Sequence, residues 1–308
     1  MRGAAMVDTV AAPSTASSVR LRNSGISSRH QCSGHITGES AFRIAGMNAI
    51  AALPMYNVSP ALAADWHALL ADVLKHVEPM AQIVEPNDLD AFWRQPGLLI
   101  SQTCGYPFVL GLHEYVQLIA TPHFDAPGCE GATYSSMLVT RAGTRFDSLD
   151  ACRGARAAYN ATDSNSGYNA LRHAVAPLAH DGRFFGAALE TGSHLGSLRA
   201  LADNRADTAA IDCVTMAFVR DAYPQLASAV KEIGYAGASP GLPLIASKNI
   251  SIEQIDALRV ALDHAIATQP ARARRLRLKG FSVLPHEAYD CIAQMENEAR
   301  VANYARLA

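Results

Sequence analysis

The 308-residue chain reads as an α/β protein built on mostly parallel sheets. Short apolar runs alternate with amphipathic helical stretches from residue 47 onward, the pattern of βα units. Apolar residues make up 49% of the chain and charged residues 18%, a balance that buries a large core. Polar words rich in Ser, Asn, Gly and Tyr follow directly behind several apolar runs. In open parallel sheets that is where ligands sit, beyond the carboxyl ends of the strands.

Taken in order, NAIAALPM (48–55) predicts a strand. The stretch 59–77 predicts a helix with Leu62, Trp66, Leu69, Leu70 and Val73 on one side. AQIVEP (81–86), PGLLIS (96–101) and VQLIATP (116–122) continue the sheet, with Pro54, Pro107 and Pro122 at strand ends, where a missing N–H costs little. A second set begins at SSMLVTR (135–141): GARAAYN (154–160), GAALET (186–191) and DTAAID (207–212) as strands, 166–179 and 194–206 as helices. Gly and Pro between extended runs in 231–248 suit a chain crossing back through a hinge. Two helices, near 251–268 and 285–302, are expected to pack on the first set of elements.

A net charge of −2, without a Lys/Arg stripe, offers no field for nucleic acid. No apolar run approaches the roughly 20 residues that span a bilayer. Residues 1–46 differ from the rest: Ser-rich, with five Arg against Asp8 and Glu39, they read as a disordered extension without an export signal. Met47 then stands as a plausible true start. The six cysteines show no CxxC pair or zinc spacing, and His30, Cys32 and His35 are the one small cluster of metal-ligand types. No cofactor motif is present.

The segment 159–172, YNATDSNSGYNALR, runs a strand into a polar turn and opens a helix with hydroxyls. Ser164, Asn165 and Ser166 favour helix caps, and Gly167 permits close approach of a ligand to the backbone. Unpartnered first-turn N–H groups make such a turn an anion site. Around it stand LPMY (53–56), SQTCGYPF (101–108), GCEGATYSS (128–136) and TGSHLGSLRALADNRADTAAIDCVT (191–215).

In that order and at those intervals, these words resemble the substrate-binding components of phosphate, phosphite and phosphonate ABC transporters. This is the PhnD-like group within the type II periplasmic binding proteins, and the likeness covers roughly residues 47–300. The resemblance implies a two-lobed clamp closing on a small tetrahedral oxyanion. It divides the chain into the 1–46 extension, a first lobe over 47–133, a second over 134–236, and a return to the first over 237–308.

It also assigns Ser164, Ser166 and Gly167, with the N–H groups of 166–168 including Tyr168, to the anion's oxygens. Tyr56, Gln102 and Tyr106 would act from the opposite lobe, and His194 would donate an N–H or, protonated, a mobile positive charge. Asp212 discriminates most. An ionised carboxylate only accepts hydrogen bonds, so it demands a donor on the ligand, or else merely caps the following helix.

The resemblance further implies a monomer, an ABC permease partner and the periplasm. The absence of a visible signal keeps a cytoplasmic oxyanion sensor open, and an enzyme using Cys104 or Ser166 with His194 is the third reading. Cys104 and Cys129 would approach across the lobe mouth, pairing in an oxidising compartment and staying reduced in the cytoplasm.

Overall fold

A computed structural model describes residues 48–308. The extension 1–46 and its His30, Cys32 and His35 lie outside the described residues, as does Met47. In chain order the elements are β1 (Ile50–Ala52), α1 (Pro60–Val77), β2 (Gln82–Ile83), α2 (Leu89–Trp93), β3 (Leu98–Gln102), α3 (Gly105–Val109), β4 (Val116–Phe124), β5 (Thr133–Tyr134) and β6 (Ser136–Arg141). There follow β7 (Arg156–Tyr159), α4 (Ala170–Val175), β8 (Ala187–Glu190), α5 (His194–Ala202), β9 (Thr208–Asp212), α6 (Cys213–Ala222), α7 (Pro224–Ser228) and β10 (Val230–Tyr235). The return comprises β11 (Ser239–Pro240), β12 (Leu244–Ser247), α8 (Ile252–Thr268), α9 (Pro270–Arg275), β13 (Leu278–Ser282) and α10 (Asp290–Val301).

Two main sheets form. The first has the order β13-β4-β12-β3-β1-β2 and the second β10-β6-β9-β7-β8, while β11 and β5 pair as a small antiparallel link. In the first sheet β1, β2, β3 and β4 share one direction, and β12 and β13 oppose them. In the second, only β6 opposes the other four. The sheets are therefore mixed in pairing although most strands run one way. Among the reversed strands, β6 and β12 are the first in their sheets after the chain crosses from the other lobe.

Local sequence explains the elements that hold the site. Ser59 caps α1 by accepting the Leu62 N–H, and Pro60 at the first helical position suits a helix start. Its buried face is Leu62, Trp66, Leu69, Leu70, Val73 and Leu74, as the periodicity predicts with Leu74 added. This face packs with Leu99, Ile119 and Leu258 into the first core. The second lobe has its own core, around Ala157, Leu171, Val175 and Phe184.

Two elements join the lobes. Val214, Ala217 and Phe218 of α6 belong to the first core, whereas Met216 and Val219 pack with β9 and α5 of the second lobe. The chain's end departs from expectation. Helix α8 packs on the first lobe, but α10 starts there with Ile292 and carries Ala299, Tyr304 and Leu307 into the second core. The Phe184 and Phe185 N–H groups donate to the Ala308 carbonyl, which anchors the terminus to the second lobe. The apolar spacing of this helix shows that it has a buried side, but not which lobe covers it.

Among the described residues no helix is long and apolar enough to cross a membrane.

Candidate functional site

A cavity of about 250 Å³ lies between the lobes, at the carboxyl ends of β1, β3, β7, β8 and β9. From the second lobe it is lined by Asn160, Ala161, Asp163, Ser164 and Ser166 after β7, by Gly192, Ser193 and His194 after β8, and by Asp212 and Thr215 at β9 and α6. From the first lobe come Pro54, Met55, Tyr56, Leu89, Trp93, Cys104, Pro107 and Leu242.

Of the nine residues the sequence marks, Tyr56, Ser164, Ser166, His194 and Asp212 line this cavity. Gly167 lies just behind it: a Cβ there would stand 2.0 Å from Asn160 Oδ1 and 3.0 Å from His194 Cε1, so only glycine fits.

The other three are turned to structural work. Gln102 is buried and its amide Nε2 donates to the Leu242 carbonyl at 3.2 Å, satisfying an acceptor in the chain's return to the first lobe. The Tyr106 hydroxyl accepts from Arg172 Nη2 at 3.2 Å. Tyr168 packs on Tyr159, ring centroids 5.1 Å apart, within the second core.

The turn itself is a single π turn over Asn165–Asn169 leading into α4, not the start of a plain α-helix. Ser164 Oγ accepts the Gly167 N–H at 3.2 Å, and the Asn165 N–H donates to Cys104 Sγ at 3.3 Å. The Ser166 N–H has no acceptor among the described residues. Of the expected nest of amides over 166–168, the turn's own cap takes the Gly167 N–H. Asn165 fixes the turn to the crossover by donating to Tyr134 Oη on β5 and Ser239 Oγ on β11, each at 3.2 Å. Asn169 donates to the Ile292 carbonyl on α10 at 2.9 Å.

Ser166 Oγ lies 2.9 Å from His194 Nε2, while Nδ1 of that ring and Oδ1 of Asn160 are buried without partners. Burial pushes the imidazole down to about 4, so at neutral pH it is an uncharged hydrogen-bonding group. The expectation of a mobile positive charge is thereby corrected.

Asp212 takes the capping role weighed for it and also meets the first lobe. Its Oδ1 caps α6 by accepting from the Val214 and Thr215 N–H groups at 2.8 and 3.0 Å. Its Oδ2 accepts from the Tyr56 hydroxyl at 3.1 Å, across the gap between lobes. Burial raises its pKa to about 6 against these three donors. The same burial, with Asp212's charge, raises the Tyr56 phenol well above its usual value.

The parts of a nucleophilic enzyme are present but not connected. His194 meets Ser166, yet its other nitrogen has no carboxylate to orient it, because Asp212 is occupied by Tyr56 and α6. The Cys104 thiol is pushed up to about 11 by burial, the opposite of activation.

Sequence reasoning missed Asn160, Asp163 and Thr215 as lining residues, although Asn160 follows β7 directly and the strand-end rule reaches it. It also missed the apolar wall. Leu89 and Trp93 stand on α2, which the strand and helix patterns left unassigned; its cap is Asp88, accepting from the Ala91 N–H at 3.0 Å. Cys129 meets Cys213, Sγ to Sγ 3.4 Å, and not Cys104.

The model of a family described as the periplasmic substrate-binding protein of phosphonate ABC transporters matches residues 60–289. No curated protein matches the sequence. Among solved structures, a binding-protein component of an ABC phosphonate transporter from Pseudomonas aeruginosa superposes with a TM-score of 0.70 at 20% identity, covering 85% of this chain and 91% of that one. PhnD1 from Prochlorococcus marinus, in complex with methylphosphonate, gives 0.67 at 13% identity over 82% and 98%. The alkanesulfonate-binding protein from Xanthomonas axonopodis pv. citri, bound to MOPS, gives 0.56 at 16% identity over 84% and 96%.

Proposed function

Because this chain belongs to the family of periplasmic substrate-binding proteins of phosphonate ABC transporters, we propose that its cleft takes a phosphonate or phosphite in singly protonated form. The chain is a non-catalytic, solute-binding component of transport. The observation that carries the ligand's protonation state is the charge of the lining: Asp163 and Asp212 supply carboxylates, and no Lys or Arg is among the lining residues. A dianion would meet only repulsion from Asp212, whereas a P–OH group donates to it.

The Ser166–His194 pair supports the same reading. In the tautomer with hydrogen on Nε2, that group donates to Ser166 Oγ. The Ser166 hydroxyl hydrogen is then free for a ligand oxygen, beside the Ser166 N–H. Asn160, with its amide oxygen unpartnered, is a further anchor, for the ligand's P–OH or an ammonium on its side arm.

Micromolar affinity needs about 8 kcal/mol, and charge-assisted hydrogen bonds contribute roughly 1.5 to 3 kcal/mol each. Several, drawn from both lobes, are therefore required, and the ligand itself stabilises closure. The apolar wall of Met55, Leu89, Trp93 and Pro107 gives an organic substituent a place, which favours phosphonates over inorganic phosphate. The methylphosphonate complex of the Prochlorococcus marinus protein is consistent with that choice. We further infer a periplasmic monomer that delivers its ligand to an ABC permease.

Calorimetric titration with methylphosphonate, phosphite, phosphate and sulfate tests this reading. Ser166→Ala and Asp212→Ala are each expected to weaken oxyanion binding about tenfold or more, some 1.4 kcal/mol, without unfolding the chain. Unchanged affinity in both variants contradicts the site.

A further inference from the structure

Cys129 and Cys213 lie outside the cavity lining, and their sulfurs are 3.4 Å apart. Cys129 is partly exposed, on the first-lobe segment between β4 and β5; Cys213 is buried at the first position of α6, directly after Asp212. The backbone is shaped for this approach. Gly128 adopts φ +92°, and a Cβ there would stand 2.7 Å from the Tyr235 ring and 3.1 Å from Cys213 Cβ, so a larger residue would push the segment away. On the other side the Cys213 N–H donates to the Ser135 carbonyl at 3.1 Å, which holds the start of α6. Both thiols are thus presented by fixed backbone, with sulfurs 3.4 Å apart where a disulfide needs about 2 Å.

We propose that Cys129 and Cys213 form a reversible dithiol–disulfide couple that staples the first lobe to α6 beside Asp212 and holds the cleft shut when oxidised. The oxidant is a small disulfide of the glutathione class. The Cys129 thiolate attacks it, forming a mixed disulfide and releasing one glutathione thiol. The Cys213 thiol, its proton passing to the departing glutathione sulfur, then displaces the second glutathione from Cys129 Sγ, closing the protein disulfide. Two protein thiols are oxidised, one glutathione disulfide is reduced to two thiols, and those thiols carry the two protons. A dithiol reverses the sequence.

The consequence for the cleft, which rests on the two-lobed clamp reading, comes from position. The link would sit next to the Tyr56–Asp212 hydrogen bond and to Val214 and Phe218 of α6, packed in the first core. Opening the lobes pulls these contacts apart; a covalent bond at the same place resists it. In the oxidising compartment inferred above the couple is poised between the linked, closed form and the dithiol form that binds and releases ligand, and a dithiol reductant shifts it to the latter.

The test uses the full chain without ligand, so its outcome is independent of which oxyanion binds. Reduced protein is treated with glutathione disulfide, then mapped by peptide mass spectrometry. The expected product is a peptide pair linked through Cys129 and Cys213, absent in Cys129→Ser and in Cys213→Ser. Hydrogen exchange of oxidised protein is expected to slow about tenfold around residues 54–58 and 212–216, and to recover with dithiothreitol. Glutathione retained on Cys129 with no linked pair overturns the couple. A linked pair with unchanged exchange overturns the lock.

Discussion

The two lobes contribute unlike surfaces to one cleft. The second offers hydroxyls, an imidazole, an amide and two carboxylates at successive strand ends, whereas the first offers a mostly apolar wall and one phenol, Tyr56, already bonded to Asp212. Two side-chain atoms of the second lobe's lining residues, Asn160 Oδ1 and His194 Nδ1, are buried without partners. Those of Gln102 and Tyr106 in the first are spent on Leu242 and Arg172. On the proposed reading, one lobe recognises the oxyanion, and the other selects what the oxyanion carries and shuts upon it.

The largest expected effect concerns the second lobe's two titrating groups. Asp212 has a folded pKa of about 6, above the unfolded value, so its contribution to stability is full at low pH and lost as pH rises from about 4 to 6. His194 is depressed to about 4; the unfolded ring takes a proton first, so its contribution is full above 6.5 and lost as pH falls toward 4. Each is at most roughly 3 kcal/mol, and the two oppose each other in one window. Relative to wild type, Asp212→Asn should gain stability as pH rises from 4 to 6.5, and His194→Gln should lose it. Thermal unfolding across that range decides, and parallel curves for all three proteins would break the electrostatic half of the comparison.

Next in size is the wall. Leu89→Ala should weaken a phenylphosphonate several-fold, at about 0.8 kcal/mol per CH₂ group withdrawn from contact, while phosphite binding changes by less than about twofold. An equal loss for both ligands would mean that the first lobe also reads the oxyanion. Tyr56→Phe should cost about 1 kcal/mol of stability, measured by urea unfolding, because a buried acceptor on Asp212 loses its donor. The smallest effect belongs to Tyr106→Phe, which should lower stability slightly through Arg172 and leave affinity within about twofold. A tenfold loss there would return Tyr106 to the site.

Much of this asymmetry was legible in the chain. Polar residues directly behind β7, β8 and β9 obey the strand-end rule, and Ser164, Ser166, His194 and Asp212 emerge from it in register. What escaped depends on partners far away in sequence. Gln102 meets a carbonyl 140 positions on, Tyr106 a guanidinium 66 away, and Cys129 a thiol 84 away, so no local pattern distinguishes them from ligand contacts. The π turn and its self-capping by Ser164 were hidden for another reason: Ser-Asn-Ser-Gly suits either an open anion nest or a closed cap, and the packing of Asn160 and Cys104 decides between them.

The central claim, that the second lobe's strand ends hold a protonated oxyanion, is tested most directly by a crystal structure with methylphosphonate. The account predicts one ligand oxygen at the Ser166 hydroxyl, and a P–OH within hydrogen-bond distance of Asp212. A phosphonate bound away from both residues, or paired with an Arg or Lys drawn into the cleft, would contradict it.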